Sequence, residues 1–462
     1  GPTRLAMHWH VHHDGASHWR SWKAIGERMP IAIVLGGESV LPYAATCPLP
    51  PGIGELLMAG FLNGRGIPMV PARTVPLRVP ANAEIVIEGW VSTECGPIGW
   101  DPRNDELLGP GAVFEGPFGD HTGFYSLPDR YPVVEVTAVT HRRDAVYPTT
   151  IVGLPPQEDY YLGKATERIM LPLLKTIIHD IDDYHLPMFG CFHNCAFVRI
   201  RKAYPLQARR VMHAIWGAGQ MAWTKMIVVV DEDVDVHDEA AVMRAIAERC
   251  HLRRDVECVR GPLDILDHAA PRLGAGTKIG LDATGWWPGE EAAGVGGEPV
   301  TGPASAAAVL EHLAAAEAAD GPLPGVRSLG VPEFGGGRFV FVATDAEGRE
   351  AVERVLAGVR RRLASMSGAG DLLVAVGPDV NVHDWEEVCF HLTANADPGR
   401  DAIRDPAAVA ATGLAFDATP KRPGPGVGGD PVRDYPPILV MDEAVEQWVD
   451  ERAAAFGLEP RG

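Results

Sequence analysis

Positive charge is the first thing this chain is short of: 41 lysines and arginines stand against 61 aspartates and glutamates, a formal net charge of −20 over 462 residues. A phosphate backbone or an anionic membrane surface needs a basic face, so nucleic acid and membrane partners are excluded as expectations. Cysteine is scarce too. The seven residues, at 47, 95, 191, 195, 250, 258 and 389, are odd in number and scattered, unlike a secreted disulfide framework. Cys191 and Cys195 enclose His193 in CFHNC, but no second Cys/His pair stands nearby to complete four zinc ligands, and a half-buried strand is the better reading. No apolar run reaches the roughly 18 residues of a membrane-spanning helix, and a charged-then-apolar leader is missing, so a soluble, cytoplasmic protein is expected.

What is plentiful is apolar residue, at 46%, together with 52 glycines and 40 prolines. The chain can bury cores, with many turns and long loops between them, and its length calls for two or three domains. Short alternating runs, PIAIVLGG (30–37), IPMVPARTVPLRVP (67–80) and AEIVIEGWV (83–91), separated by glycine and proline, predict a β-rich region over 30–150. GELLMAGFLNG (54–64) predicts a short helix ended by glycine, and STECGPIGWDPRNDELLGPGAVF (92–114) a turn-rich insertion. The apolar spacing in 160–184 predicts a long helix interrupted near Pro172. The pattern then becomes strand (195–200), helix (205–217), strand (225–230), helix (239–250), the alternation of an α/β domain.

A repeat follows. MIVVVDEDVDVHDEAAVMRAIAERCHLRRD (226–255) lines up with LLVAVGPDVNVHDWEEVCFHLTANADPGRD (372–401), placing His237-Asp238 on His383-Asp384 and Arg254-Asp255 on Arg400-Asp401. GLDAT (280–284) similarly matches AFDAT (415–419). Two copies of one α/β unit stand in tandem, and 289–325, rich in Gly, Ala and Pro, reads as their linker. The domain expectation is a β-rich region, barrel or sandwich, over 1–158, a long helix over 159–185, α/β units over 186–290 and 326–462, and a linker over 291–325.

Several segments could carry chemistry. DEDVDVHD (231–238) alternates acids as a calcium loop does, but it lacks the turn glycine and the glutamate at position twelve; a strand end before an acidic helix N-terminus accounts for it. In MHWHVHHDGASHW (7–19), His8, His10 and His12 would share one face of a strand, a spacing suited to a divalent first-row ion, or simply a solvated His-rich edge. Glu55, at a predicted helix start, is by default a dipole partner. EGPFGDHTGFY (115–125) places Glu115 and Asp120 around Gly116, Pro117 and Gly119, which suits general acid/base work by paired carboxylates or a turn whose acids cap backbone amides.

Taken in order, LPPGIGELLMAGFLNGRG, VPANAEIVIEGWV, EGPFGDHTGFYS, YPVVEVTAVTHRRDAVYPTTIVGLPPQED, VVVDEDVDVHD and GTKIGLDAT resemble the UbiD family of prenylated-flavin-dependent decarboxylases, and YPPILVMDEAVEQWVDERAAAFGL resembles that family's C-terminal tail. The resemblance implies a mixed α+β and α/β fold, with a split β-barrel for the flavin, a long linking helix and a C-terminal α/β part, here in two copies. It implies reversible decarboxylation of an aromatic or α,β-unsaturated acid on prenylated FMN, with a divalent metal, Mn²⁺ foremost, and often K⁺.

By position it makes His12 and Glu55 metal ligands, places Ala45, Thr46 and Cys47 along the flavin and Lys278 toward its phosphate, and makes Glu115 and Asp120 the acidic pair. Asp120 would protonate the substrate-derived carbon. The family's third metal ligand, an asparagine, and the arginine that meets the first acid have no counterpart within the chain. The site is therefore expected to be completed by an upstream segment, or within a homo- or hetero-oligomer by a chain supplying both, with a flavin prenyltransferase as cofactor supplier. The alternative is a catalytically inactive scaffold or regulatory subunit of such a complex.

Overall fold

The computed structural model describes residues 1–10, 13–50, 52–95, 111–155, 158–292, 294–298, 300, 302, 305–403 and 413–458. The chain is mixed α+β and folds as two compact units, residues 1–159 with 436–462, and residues 160–435. None of its described helices is long and apolar enough to cross a membrane.

In the first unit the strands Met29–Leu35, Ile85–Val91, Asp129–His141 and Arg4–Ala6 lie side by side, all antiparallel, and Ala112–Glu115 also pairs with the long strand Asp129–His141. Alternation in IVIEGWV and DRYPVVEV puts Val91 and Val134 inside, where they pack with Trp19, Met29 and Tyr131. Trp19 comes from the helix Asp14–Ala24, follows the His-rich segment, and is satisfied by its indole N–H donating to Ser92 O (2.9 Å). Among the described residues of the N-terminal segment only Arg4–Ala6 is strand, and His8 and His10 lie beyond it. Of the insertion at 92–114, residues 96–110 lie outside the described residues. The segment after Pro436 belongs to this unit: Tyr125 N donates to Pro437 O (2.9 Å) and Leu439 N to Gly123 O (2.8 Å).

The second unit begins in the helix Asp159–Ile177, which carries Pro172 and ends short of the expected 184, because IDDYH forms the strand Ile181–His185. Two five-stranded sheets follow with one plan. In each, three central strands run parallel, Cys195–Ile200, Met226–Val230 and Ala275–Ala283 in the first, Phe339–Thr344, Leu372–Val376 and Leu414–Asp417 in the second, flanked by an antiparallel strand at either edge. Central strands covered on both faces read as continuous Val/Ile/Leu runs, as MIVVV and LLVAV do.

The repeat extends to side chains. Thr284 N and Thr419 N donate to Asp282 Oδ1 (2.9 Å) and Asp417 Oδ1 (3.1 Å), and Arg254 and Arg400 each grip the adjacent aspartate with two N–H groups. Each acid of DEDVDVHD also has a structural partner, Glu232 pairing with Arg201. Asp231 accepts from Gly285 N (2.6 Å), Asp233 pairs with Arg249, Asp235 accepts from His237 N (2.9 Å), and Asp238 caps the helix Glu239–Arg249. The stretch expected as linker holds the helix Ala306–Asp320, capped by Ser305 and burying Val309 and Leu313.

Candidate functional site

Two segments converge on the strand Asp129–His141 to build the first part of the site. The strand Ala112–Glu115 ends with Glu115 opposite Asp129, and Arg4–Ala6 pairs with residues 133–135, which carries His8 onto Tyr131 with ring centroids 4.2 Å apart. His8 Nδ1 meets Glu115 Oε2 at 2.8 Å, and His8 Nε2 lies 3.1 Å from Tyr131 Oη and 3.2 Å from His10 Nε2. Glu115 thus sits in a chain of titratable and hydroxyl groups, half-buried and held by an imidazole. His8 was legible as one of a histidine series; Tyr131 carried no signal beyond being an aromatic in a strand.

Beyond Glu115 the chain turns through Gly116, whose φ of +99° suits glycine, and doubles back as a narrow hairpin. Ser126 N donates to Phe118 O (2.6 Å) and Asp120 N to Phe124 O (3.2 Å). At its tip Asp120 Oδ1 accepts from both the backbone N–H (2.7 Å) and the hydroxyl of Thr122, so the carboxylate's orientation is set by its own loop. The C-terminal segment fixes the hairpin from outside through the Phe124–Ile438 bridge, and a Cβ on Gly119 would stand 2.8 Å from Leu439 Cδ2. Any larger residue there would have to push the Leu439 side chain aside.

Glu55 opens the helix Glu55–Asn63, in its first turn, as a dipole partner would. This helix packs against Val40–Thr46, which presents Ala45 and Thr46 to solvent and buries Cys47 just past its end. Burial raises the Cys47 thiol pKa, a bond from Tyr43 opposes that, and the Glu55 carboxylate adds to the rise, so Cys47 and Glu55 feel one another. Leu56, Leu57 and Phe61 of the same helix are exposed. His12 lies outside the described residues.

Lys278 is in the second unit, 1% exposed, its ammonium donating to the carbonyls of Ala222 and Thr224. Burial lowers its pKa to about 8, with Asp267 opposing.

A cluster that sequence reasoning missed lies in the second unit. Glu167, fully buried, accepts from Leu186 N (2.8 Å) and from Lys164 Nζ (3.0 Å), and stands near His185 and His237. The one available signal was a glutamate at helical spacing with Met170 and Leu174, a charge on an apolar face.

Residues 1–155 match the UbiD 3-octaprenyl-4-hydroxybenzoate carboxy-lyase Rift-related domain, and residues 160–283 and 302–423 match the UbiD C-terminal domain. An uncharacterized protein of Aquifex aeolicus is 48% identical over 284 residues, 62% of this chain and 55% of that protein. One from Archaeoglobus fulgidus is 46% identical over 283 residues, 61% of this chain and 56% of that one. The chain therefore spans about half the length of these curated relatives.

Among solved structures, the UbiD-class enzyme HmfF of Pelotomaculum thermopropionicum in complex with FMN matches at a TM-score of 0.52 and 31% identity, covering 63% of this chain and 61% of that one. Vanillic acid decarboxylase of Sedimentibacter hydroxybenzoicus, in its closed form, matches at 0.55 and 25% identity, covering 63% and 58%. With domain matches running through most of its length, the chain belongs to the UbiD family.

Proposed function

We propose that this chain is the larger part of a carboxy-lyase that removes CO₂ reversibly from an aromatic or α,β-unsaturated acid on a prenylated FMN. The observation that carries the reading is the hairpin 116–126, which presents Asp120 at its tip with the carboxylate fixed by Thr122 and Glu115 at its base held by His8. A proton donor must be positioned before its pKa matters, and here backbone and hydroxyl bonds hold the donor group.

The residues present suit the cofactor's demands. Carboxylate at Glu55 and imidazole at His12 would be ligands for a divalent ion such as Mn²⁺, completed by an asparagine from outside this chain. Exposed Ala45 and Thr46 beside Cys47 offer small side chains against which a planar ring could lie. The flavin, when bound, would supply the electron sink for loss of CO₂.

The protein's own share is proton management. Asp120 gives its proton to the carbon from which CO₂ has left and regains one in the reverse direction. Glu115, His8 and Tyr131 form a hydrogen-bonded chain in which His8 stands 2.8 Å from Glu115 and 3.1 Å from Tyr131, able to share a proton among them. An arginine from an upstream segment or partner chain would join Glu115. Lys278 takes no part in this proposal, its ammonium being buried against two carbonyl oxygens.

Co-expression of the chain and its upstream coding segment with a flavin prenyltransferase tests the reading. The expected result is co-purifying flavin absorbance and CO₂ release from at least one member of a panel of aryl and unsaturated acids. Protein that holds flavin in the presence of that segment and releases CO₂ from none of the panel would favour the scaffold alternative.

A further inference from the structure

The cluster around Glu167, buried at Glu167 and His185 and open at His237, has the layout of a metal centre. His185 and His237 direct their Nδ1 atoms at one point, and Glu167 presents both carboxylate oxygens to it. Ligand atoms of the three lie within 4.8 Å of one another. At that point sits Lys164 Nζ, 2.7 Å from His185 Nδ1, 3.1 Å from His237 Nδ1 and 3.0 and 3.3 Å from the Glu167 oxygens. The protein has thus placed a cation of its own where four donor atoms converge.

The outer ring nitrogens are held as metal-bound histidines usually are. His185 Nε2 meets Glu239 Oε1 at 2.8 Å, and His237 Nε2 meets Asp183 Oδ2 at 3.1 Å. Such carboxylate partners favour a proton on Nε2; His185 Nδ1 also lies 3.2 Å from Glu167 Oε2, so an ion bound at Nδ1 would take the place of that contact as well as of the ammonium. Arg168 bonds both Glu167 (2.9 Å) and Asp183 (2.8 Å), completing the frame. With neutral imidazoles, three carboxylates (Glu167, Asp183, Glu239) face two cations (Lys164, Arg168), a net charge of −1. Exchanging the ammonium for a dication brings the cluster to zero, −3 for the carboxylates, +1 for Arg168 and +2 for the ion.

We propose that Glu167, His185 and His237 form a binding site for a divalent first-row transition ion, with Lys164 as its displaceable occupant. Two imidazoles and a carboxylate on one side of an ion suit zinc or a similar metal and leave coordination positions open. Contraction of the donors from about 3 Å to the roughly 2.0–2.2 Å of metal bonds needs side-chain adjustment only. Lys164 is 29% exposed, on a flexible stem, and can leave toward solvent. The bound ion would tie the helix Asp159–Ile177 to the strand Ile181–His185 and to the loop before the helix Glu239–Arg249. This inference stands apart from the flavin reading.

Titration of Zn²⁺ into the chain by calorimetry, with stoichiometry checked by elemental analysis, tests it. Zinc taken up by the N-terminal histidines is common to all variants, so the site is read as a difference. Lys164→Met, which keeps the stem and removes the competing charge, should bind one equivalent at least tenfold more tightly than the unsubstituted protein. His237→Gln, at an accessible position, should bind one equivalent fewer. A Lys164→Met protein that binds no more tightly, or a His237→Gln protein that keeps the full stoichiometry, overturns the assignment.

Discussion

Buried His268 donates from Nε2 to the side-chain oxygen of Asn395 (3.2 Å), and the amide nitrogen of Asn395 lies 3.4 Å from His391 Nδ1. One amide thereby satisfies two imidazoles in their neutral forms, one as donor and one as acceptor. Burial lowers both pKa values from the ordinary 6.5 to about 4, against the pull of Asp267 and the Asn395 bond on His268. Between those values the unfolded chain takes up protons that the folded chain refuses. Stability is therefore complete above 6.5 and drains as pH falls toward 4, at about 1.4 kcal/mol per pH unit for each histidine. Urea midpoints measured from pH 7 to 4.5 should fall, and His268→Gln should flatten the slope. A second prediction at this scale concerns Thr122, whose hydroxyl and N–H fix Asp120. Thr122→Val removes one bond to a charged acceptor, worth about 1.5 kcal/mol, and should slow turnover roughly tenfold with flavin content unchanged.

At the scale of elements, the helix Ala306–Asp320 shows why part of the fold was hidden. Its sequence, AAAVLEHLAAAEAAD, is so rich in alanine that composition resembles a linker, yet Val309 and Leu313, one turn apart, are 0% and 3% exposed and complete the core of the second sheet. Leu313→Ala should cost about 2–5 kcal/mol in chemical denaturation, and Leu310→Ala, at 38% exposure, well under half of that.

Strands and helices with a clear period, such as MIVVV and the helix Glu239–Arg249, were legible to within a residue or two, and so was the duplication, because the Arg-Asp and Asp-Ala-Thr signatures that hold each sheet survive in both copies. The acidic pair was legible as residues, but its partners were not. His8 reaches both Glu115 and Tyr131 through strand register, a relation between segments more than a hundred residues apart. The cluster around Glu167 was invisible for the same reason, its members coming from two helices, a strand and a loop.

On the scale of the molecule, two long-range associations organise the chain. In the first unit the tail residues Pro437, Ile438 and Leu439 pair with Gly123, Phe124 and Tyr125, so the last part of the sequence clamps the hairpin that carries Asp120. In the second unit the two sheets exchange groups. Arg338 donates to Ala247 O (2.5 Å) at the end of the opposite half's helix, and Thr393 Oγ1 donates to Phe189 O (3.1 Å). Phe197, Met226 and Met243 from one half and Phe339, Phe341 and Phe416 from the other line a shared apolar cavity of about 40 Å³. Duplication has given this unit an internal partner.

The proposed activity depends on one group at the tip of the clamped hairpin. In the protein reconstituted with its upstream segment and prenylated flavin, Asp120→Asn preserves the bonds from Thr122 while removing the acid. Decarboxylation should fall at least a hundredfold with flavin absorbance unchanged, the usual scale of a lost general acid. Turnover at the unsubstituted rate would contradict the assignment of Asp120 as proton donor and, with it, the mechanism proposed for this chain.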